Sequence, residues 1–493
     1  MKSTPLLMMT LALAGCAVGP DFHTPTPPAV TGYTADNPPG NSSADKVAQR
    51  LITNMDIPGQ WWTLFHSPAL NAVIERALKQ NPDLQAAQAA LRVARENVLA
   101  QQGAAYPGVQ AGFSPSRQKN PVGTLAPTLA AGTPVYSLYT AQLSIAYVAD
   151  VFGGNRRQVE SLQAQAESQR FQLEATYLTL TSNLVLTAIQ EASLRAQIDA
   201  TEKLVKTGAE QLELMQREVA LGAIAMADVV AQRAALAQLQ ATLPGLRKQL
   251  AQQRDQLAAL SGNFPSEQPA EQFELSTLEL PRELPLSLPS KLIEQRPDVR
   301  AAEANLHAAS AQVGVALANR LPQITLSAGA GGTATAFRQM FAVGNVFWAI
   351  AGSLSQSLFD GGTLLHRERA ADAALDQAAA QYQGTVITAC QNVADTLRAL
   401  QYDAETLTAE ETAEQAARES LDIAHHAMAL GSISYLGLLI AEQTYQQSLS
   451  ALVQAKSSQY ADTVALFQAL GGGWWNRTDV ALRSDAKTVN VNN

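Results

Sequence analysis

Few residues in this chain are placed to do chemistry. Its six histidines are His23, His66, His307, His366, His425 and His426. Only the last two adjoin, and neighbours on a helix point about 100° apart, which makes a poor metal pair. There is no Gly-x-Ser-x-Gly, phosphate loop or metal-ligand helix motif, so nothing in the sequence points to an enzyme or to a metal. Of the two cysteines, Cys390 sits in a helical stretch, Thr388-Ala389-Cys390-Gln391, and reads as a small buried hydrophobe. The pair offers neither a disulfide framework nor zinc spacing. The thiol with a use is Cys16. Lys2 precedes an apolar stretch, Leu6 to Leu13, too short to span a bilayer and typical of a signal peptide. Leu13-Ala14-Gly15 then puts small residues directly before the cysteine, as a peptidase site needs, and leaves its thiol as the one group placed to take a covalent modification.

Leu13-Ala14-Gly15-Cys16 resembles a lipobox, and Ala17-Val18 lacks the Asp that commonly retains such a protein at the inner membrane. Residues 1–15 are therefore read as signal peptide and 16–50 as lipid anchor and tether, rich in Pro (Pro25, Pro27, Pro28, Pro38, Pro39). The lipid on Cys16 is the one covalent group expected, with outer-membrane lipid as its partner. Formal net charge is −9, or −10 once residues 1–15, with Lys2 as their only charge, are removed. An acidic chain without a basic run is a poor nucleic-acid binder. No apolar run after residue 17 approaches the roughly 20 residues of a transmembrane helix, so a mature chain that crosses a membrane must do so as a β-barrel.

The chain between its ends is duplicated. Asn81-Pro82-Asp83-Leu84 with Ala86, Ala87, Ala89, Leu91 and Ala94 recurs as Arg296-Pro297-Asp298-Val299 with Ala301, Ala302, Ala304, Leu306 and Ala309, 215 residues on. Pro107 and Pro322 keep that offset; Gly153-Gly154 is then echoed by Gly361-Gly362, Leu221-Gly222 by Leu430-Gly431, and Ala259 to Gly262 by Ala469 to Gly472. The expected division is repeat 1 over 51–280, repeat 2 over 281–475 and a polar tail over 476–493. With 47% hydrophobic but only 6% aromatic residues, long packed helices rich in Ala, Leu, Gln and Glu dominate the expectation.

In each half a short amphipathic helix (Leu70, Val73, Ile74, Ala77, Leu78; then Leu288, Leu292, Ile293) leads to a second helix that Pro107 or Pro322 stops. Alternation of period two follows. Strands are expected at about 107–116 and 138–150, and at about 322–331 and 346–358. Tyr139, Ala141, Leu143, Ile145, Tyr147 and Ala149 alternate with small or polar residues, as do Trp348, Ile350 and Leu354, over the roughly 9–11 residues that a tilted membrane strand needs. Tyr139, Tyr147 and Trp348 lie near strand ends, where an aromatic girdle belongs. Long helices are expected at about 154–220 and 226–262, and at about 361–429 and 435–471. They pair as coiled-coil hairpins turning at Leu221-Gly222 and Leu430-Gly431. Four membrane strands cannot close a barrel, and open edges are not tolerated in lipid, so closure needs other subunits. The fold class expected is mainly α with membrane β: two pseudo-repeats, each a long helical hairpin plus a β-hairpin, in a trimer that forms a 12-stranded β-barrel and an α-barrel.

Trp61-Trp62-Thr63-Leu64-Phe65 with Pro68-Ala69-Leu70, Asn81-Pro82-Asp83-Leu84, the run Cys16 to Phe22, Leu358-Phe359-Asp360-Gly361-Gly362 and Ala469 to Trp474 together resemble the TolC/OprM/NodT-type outer-membrane efflux lipoproteins, over nearly the whole chain. The resemblance implies a homotrimeric exit duct for small molecules, with a periplasmic α-barrel that meets an adaptor and, through it, an inner-membrane transporter. It implies that the turns at Leu221, Gly222, Leu430 and Gly431 are the aperture and docking tips. Asp228 matches an acidic position of the family's aperture; the second repeat departs, having Gly437 at the equivalent place. Arg217, answered by His426, is a candidate partner for carboxylates near the tip. A type I secretion duct and a non-channel coiled-coil lipoprotein or adaptor are the competing readings.

Overall fold

A computed structural model describes residues 17–30, 32–34, 49–119 and 135–477. Cys16 and the last 16 residues lie outside them. In chain order the elements are β1 (Arg50–Thr53), α1 (Pro68–Gln80), α2 (Pro82–Gly103), β2 (Gly108–Lys119), β3 (Val135–Ala149), α3 (Gly154–Ala220), α4 (Met226–Leu260), β4 (Glu283–Leu286), α5 (Pro289–Gln295), α6 (Pro297–Ala318), β5 (Gln323–Ala334), β6 (Val346–Ser355), α7 (Thr363–Ala429) and α8 (Tyr435–Ala469). No described helix is long and apolar enough to cross a membrane.

Two compact units result, and they are not the two repeats: each draws on both halves of the chain. The first takes in the N-terminal segment through Pro25, Ala90–Arg170 and Ala301–Gln383. Its centre is a four-stranded sheet in the order β2-β3-β5-β6, every neighbour antiparallel. The register puts Val109, Phe113, Leu143, Ile145, Leu326, Ile350 and Leu354 on one face, with Gln110, Ser114, Ser144, Ser327 and Ser353 on the other. β2 and β6 are edge strands.

The second unit, Thr26–Ala89, Phe171–Arg300 and Gly384 onward, holds the aromatic core. Trp61, Trp62 and Phe65 lie in a short 3-10 helix and are buried. Trp61 stacks on Phe467 with centroids 5.3 Å apart, and Trp62 meets Tyr177. The helical hairpins close alike in both repeats. Gly262 (φ 81°) passes the Gln80 carbonyl and Gly471 (φ 91°) the Gln295 carbonyl so closely that a Cβ at either would strike it. Asn81 Nδ2 donates to the Leu260 carbonyl at 3.0 Å, and Arg296 Nη1 takes the same part toward the Ala469 carbonyl at 3.2 Å. Asn81 also caps α2, accepting from the Asp83 and Leu84 amides.

The structure refines the repeat alignment. Helices α2 and α6 and strands β2 and β5 keep an offset of 215 at both ends, whereas the long helices, from the α3 and α7 starts to the α4 and α8 ends, are offset by 209. Gly153 (φ 77°) therefore answers Gly362 (φ 87°), one residue away from the Gly-Gly match read in sequence. Strands β2 and β5 run three residues past their expected ends, and β6 stops at Ser355, three short of residue 358. The tail read as starting at Asn476 is tied to the body at its first two residues: the exposed Asn476 donates its Nδ2 to the Ile57 carbonyl at 2.8 Å, and the Arg477 side chain is buried. The pairing of β1 with β4 in parallel has no counterpart in the sequence reading.

Candidate functional site

Three places on the chain bear on function: the sheet, the segment that follows Cys16, and the hairpin tips. On the sheet, Tyr139, Tyr147 and Trp348 all fall on the apolar face, with Trp348 77% exposed in the single chain. Tyr139 and Phe113 both meet Phe337 edge-on, at 6.1 and 5.9 Å. An apolar face that is also solvent-exposed over four strands has no place in a water-soluble sheet; it suits lipid.

The segment after Cys16 is clasped rather than free. Val18 donates its amide to the Phe152 carbonyl at 3.1 Å, beside the β3–α3 junction, and Ala17 packs on Gly153. Arg157, 7% exposed, donates to the Val18 carbonyl at 3.1 Å, to Asp21 at 2.7 Å and to Glu160 at 2.8 Å. His307 bonds the other Glu160 oxygen at 2.9 Å while Phe22 stacks on its ring at 4.3 Å. Burial alone would raise the Glu160 carboxyl; hydrogen bonds and charge from Arg157 and His307 outweigh it and hold the group below its ordinary value. Residues 17–22 are thus fixed at the end of a membrane-length strand.

At the tips, α3 ends in a left-handed Gly222 (φ 73°) and α7 in Gly431 (φ 70°), each closed by a backbone bond five residues back, from Ala223 to Glu218 and from Ser432 to Ala427. Both glycines have open space around a would-be Cβ, so the dihedral and not crowding selects them. Leu221 and Leu430 are each 84% exposed. A small apolar cluster of Leu421, Ala424, Leu438 and Ala441 holds the second tip together.

A model of the outer membrane efflux protein family matches residues 73–263 and 288–472, one stretch for each repeat. The chain belongs to that family. It is an outer-membrane efflux protein with the fold of the channel proteins, which sets aside the non-channel lipoprotein reading. It is 30% identical over 480 residues to the toluene efflux pump outer membrane protein TtgC of Pseudomonas putida, covering 97% of this chain and 96% of that one. It is 29% identical to the pyoverdine export outer membrane protein OpmQ of the same species, over 95% and 97%. Among solved structures, the outer-membrane channel OprN matches with a TM-score of 0.82 and 29% identity, over 93% of this chain and 100% of that one. VceC of Vibrio cholerae matches at 0.78 and 27%, over 85% and 100%.

In this efflux protein the residues singled out at the aperture do not form one cluster. Arg217 pairs with Glu213 at 3.4 Å on the exposed surface of its own helix, a contact of little energetic weight. Asp228 lies in the first turn of α4, where the helix dipole favours an anion. The residues that join the two tips are ones the sequence reading missed. The Tyr435 hydroxyl donates to the Glu218 carboxylate, and the tyrosine is pushed up to about 12 by burial, by that bond, and by the charges of Glu218 and Asp228. The signal was present but unread: Tyr435 opens α8 where Met226 opens α4, so an aromatic hydroxyl stands at a place the first repeat leaves apolar.

Further along α7 and α8, Asp403 and Asp462 face each other. Burial, then the hydrogen bond and charge of Asp462, raise Asp403 to about 7. The sign follows: a raised folded pKa means stability present in acid and lost as pH climbs from the ordinary carboxylate range through 7. Thermal midpoints of the wild type will fall between pH 5 and pH 8, whereas Asp403→Asn will flatten the profile and melt higher than wild type at pH 8. An unchanged slope in the variant would remove the pair as its cause.

Proposed function

We propose that the chain is one protomer of a homotrimeric exit duct, anchored by a lipid on Cys16, that receives small toxic or antibiotic-like molecules from a periplasmic adaptor and an inner-membrane transporter. The relative that serves toluene efflux supports the class of cargo, and the duct reading assigns no catalytic step to the chain. The observation that carries the proposal is the pair of open edges, β2 and β6, on a sheet whose outer face is apolar.

The repeat supplies the register in which those edges would meet. Inside the chain β3 of repeat 1 pairs with β5 of repeat 2, as in Ile145 with Ala328, Ala146 with Ser327 and Ala149 with Ile324. Shifting each partner by its own repeat offset pairs β6 with the next copy's β2. Leu354 then faces Phe113, Ser355 faces Gly112, Ser353 faces Ser114 and Leu358 faces Val109. Apolar residues meet apolar ones and small or polar residues meet their like, which a slip of one residue would reverse. The register also extends β6 to Leu358, which is 93% exposed in the single chain.

Purified from outer membranes, the protein should run unheated as a trimer and pass ions across planar bilayers. Leu221→Asp with Leu430→Asp, at the exposed tips, should keep both properties and lower resistance of a pump-expressing strain tenfold or more. A monomer without conductance would overturn the duct; full resistance in the tip variant would overturn tip docking.

A further inference from the structure

Between the two helical hairpins lies a cavity of about 350 Å³, within the size range of small-molecule sites. We propose that it binds a small organic cation with an apolar body, an alkyl- or arylammonium ion, whose charge sits at Glu442 and whose body lies against leucines of all four helices.

The walls are Leu204 of α3, Leu236 and Leu239 of α4, Leu421 of α7 and Leu439 of α8; among the glutamines, threonines and other polar residues that share the lining, Glu442 is the one carboxylate, with Gln232 as its hydrogen-bond partner. Gln232 is 4% exposed; its amide nitrogen lies 3.5 Å from the Gln211 oxygen, and its side chain hydrogen-bonds Glu442. Burial pushes the Glu442 carboxyl up, and the Gln232 bond only partly opposes it. No Lys or Arg is among the residues lining the cavity, and His425, the one lining residue able to take a positive charge, is exposed. Arg418, which bonds the lining residue Tyr445, is itself committed to Glu414 at 2.5 Å. A carboxylate part-buried among leucines with an amide as its donor gains from any cation that arrives with its own apolar surface.

A second observation is independent of charge. Gly208 is the single glycine of α3 after its first residue, a weak choice for a helix interior, and it lines this cavity. Nothing forbids a side chain there: a Cβ would meet Leu236 at 3.5 Å and Gln232 at 3.8 Å, both ordinary contacts. The glycine is not demanded by backbone or crowding; its effect is to leave the space open.

The test uses the detergent-solubilised full chain and benzyltrimethylammonium as probe, with titration calorimetry as readout. Saturable binding is expected to the wild type, at least tenfold weaker to Glu442→Gln and absent in Gly208→Leu, with the unheated oligomer band retained. Neopentylbenzene, the uncharged isostere, needs no variant and should compete at least tenfold more weakly. No saturable binding to the wild type, or equal competition by the isostere, or unchanged affinity in both folded variants, overturns the proposal.

Discussion

Replacing Arg477 by methionine will destabilise the protein by about 3–5 kcal/mol, the loss that follows when one partner of a buried ion pair is removed and the other is left charged. Arg477 Nη1 lies 2.8 Å from Glu174 Oε2, with the two side chains 5% and 1% exposed. The guanidinium also lies 3.3 Å from the Tyr177 ring centroid, so part of its desolvation is repaid by the aromatic face. The pair ties the segment after α8 to α3 beside Trp474, which stacks edge-on against Phe171 and donates to the Gln295 carbonyl. Methionine keeps most of the volume and removes the charge. Arg477→Met with Glu174→Met should recover most of the loss, because an apolar pair of similar size needs no partner. Thermal melts of the two singles and the double close the cycle. A single Arg477→Met that melts like wild type would show that the pair contributes nothing.

That contact also shows where sequence reading stops. The strands were legible because period-two alternation is a local property, and Tyr139, Leu143 and Trp348 announce their face without a partner. The hairpin tips were legible because Gly222 and Gly431 occupy left-handed dihedrals that the sequence marks by residue type. Arg477 falls within the segment read as a polar tail because its partner Glu174 lies some 300 positions away, and no spacing links them. The same holds for Arg157 with Asp21, for Tyr435 with Glu218, for Asp403 with Asp462, and for β1 with β4. Long-range polar pairs are chosen by the tertiary fold. The one-residue shift of the Gly153 match has a local cause: Gly361 and Gly362 both have positive φ, so residue type alone could not say which of them answers it.

The second large effect concerns the open edges of the sheet. β2 and β6 stand at opposite ends of the order β2-β3-β5-β6, so no contact within one chain can join them. Closure by a second copy in the repeat-derived register brings position 112 opposite position 355. The measurement is oxidative cross-linking of Gly112→Cys with Ser355→Cys in outer membranes of cells that carry the duct, read on denaturing gels. Covalent dimers and trimers are expected in high yield, with little from Ala111→Cys paired with Ser355→Cys, whose thiols would point to opposite faces. A monomer band alone from the first pair, or equal yields from both, would contradict the trimeric barrel in this register.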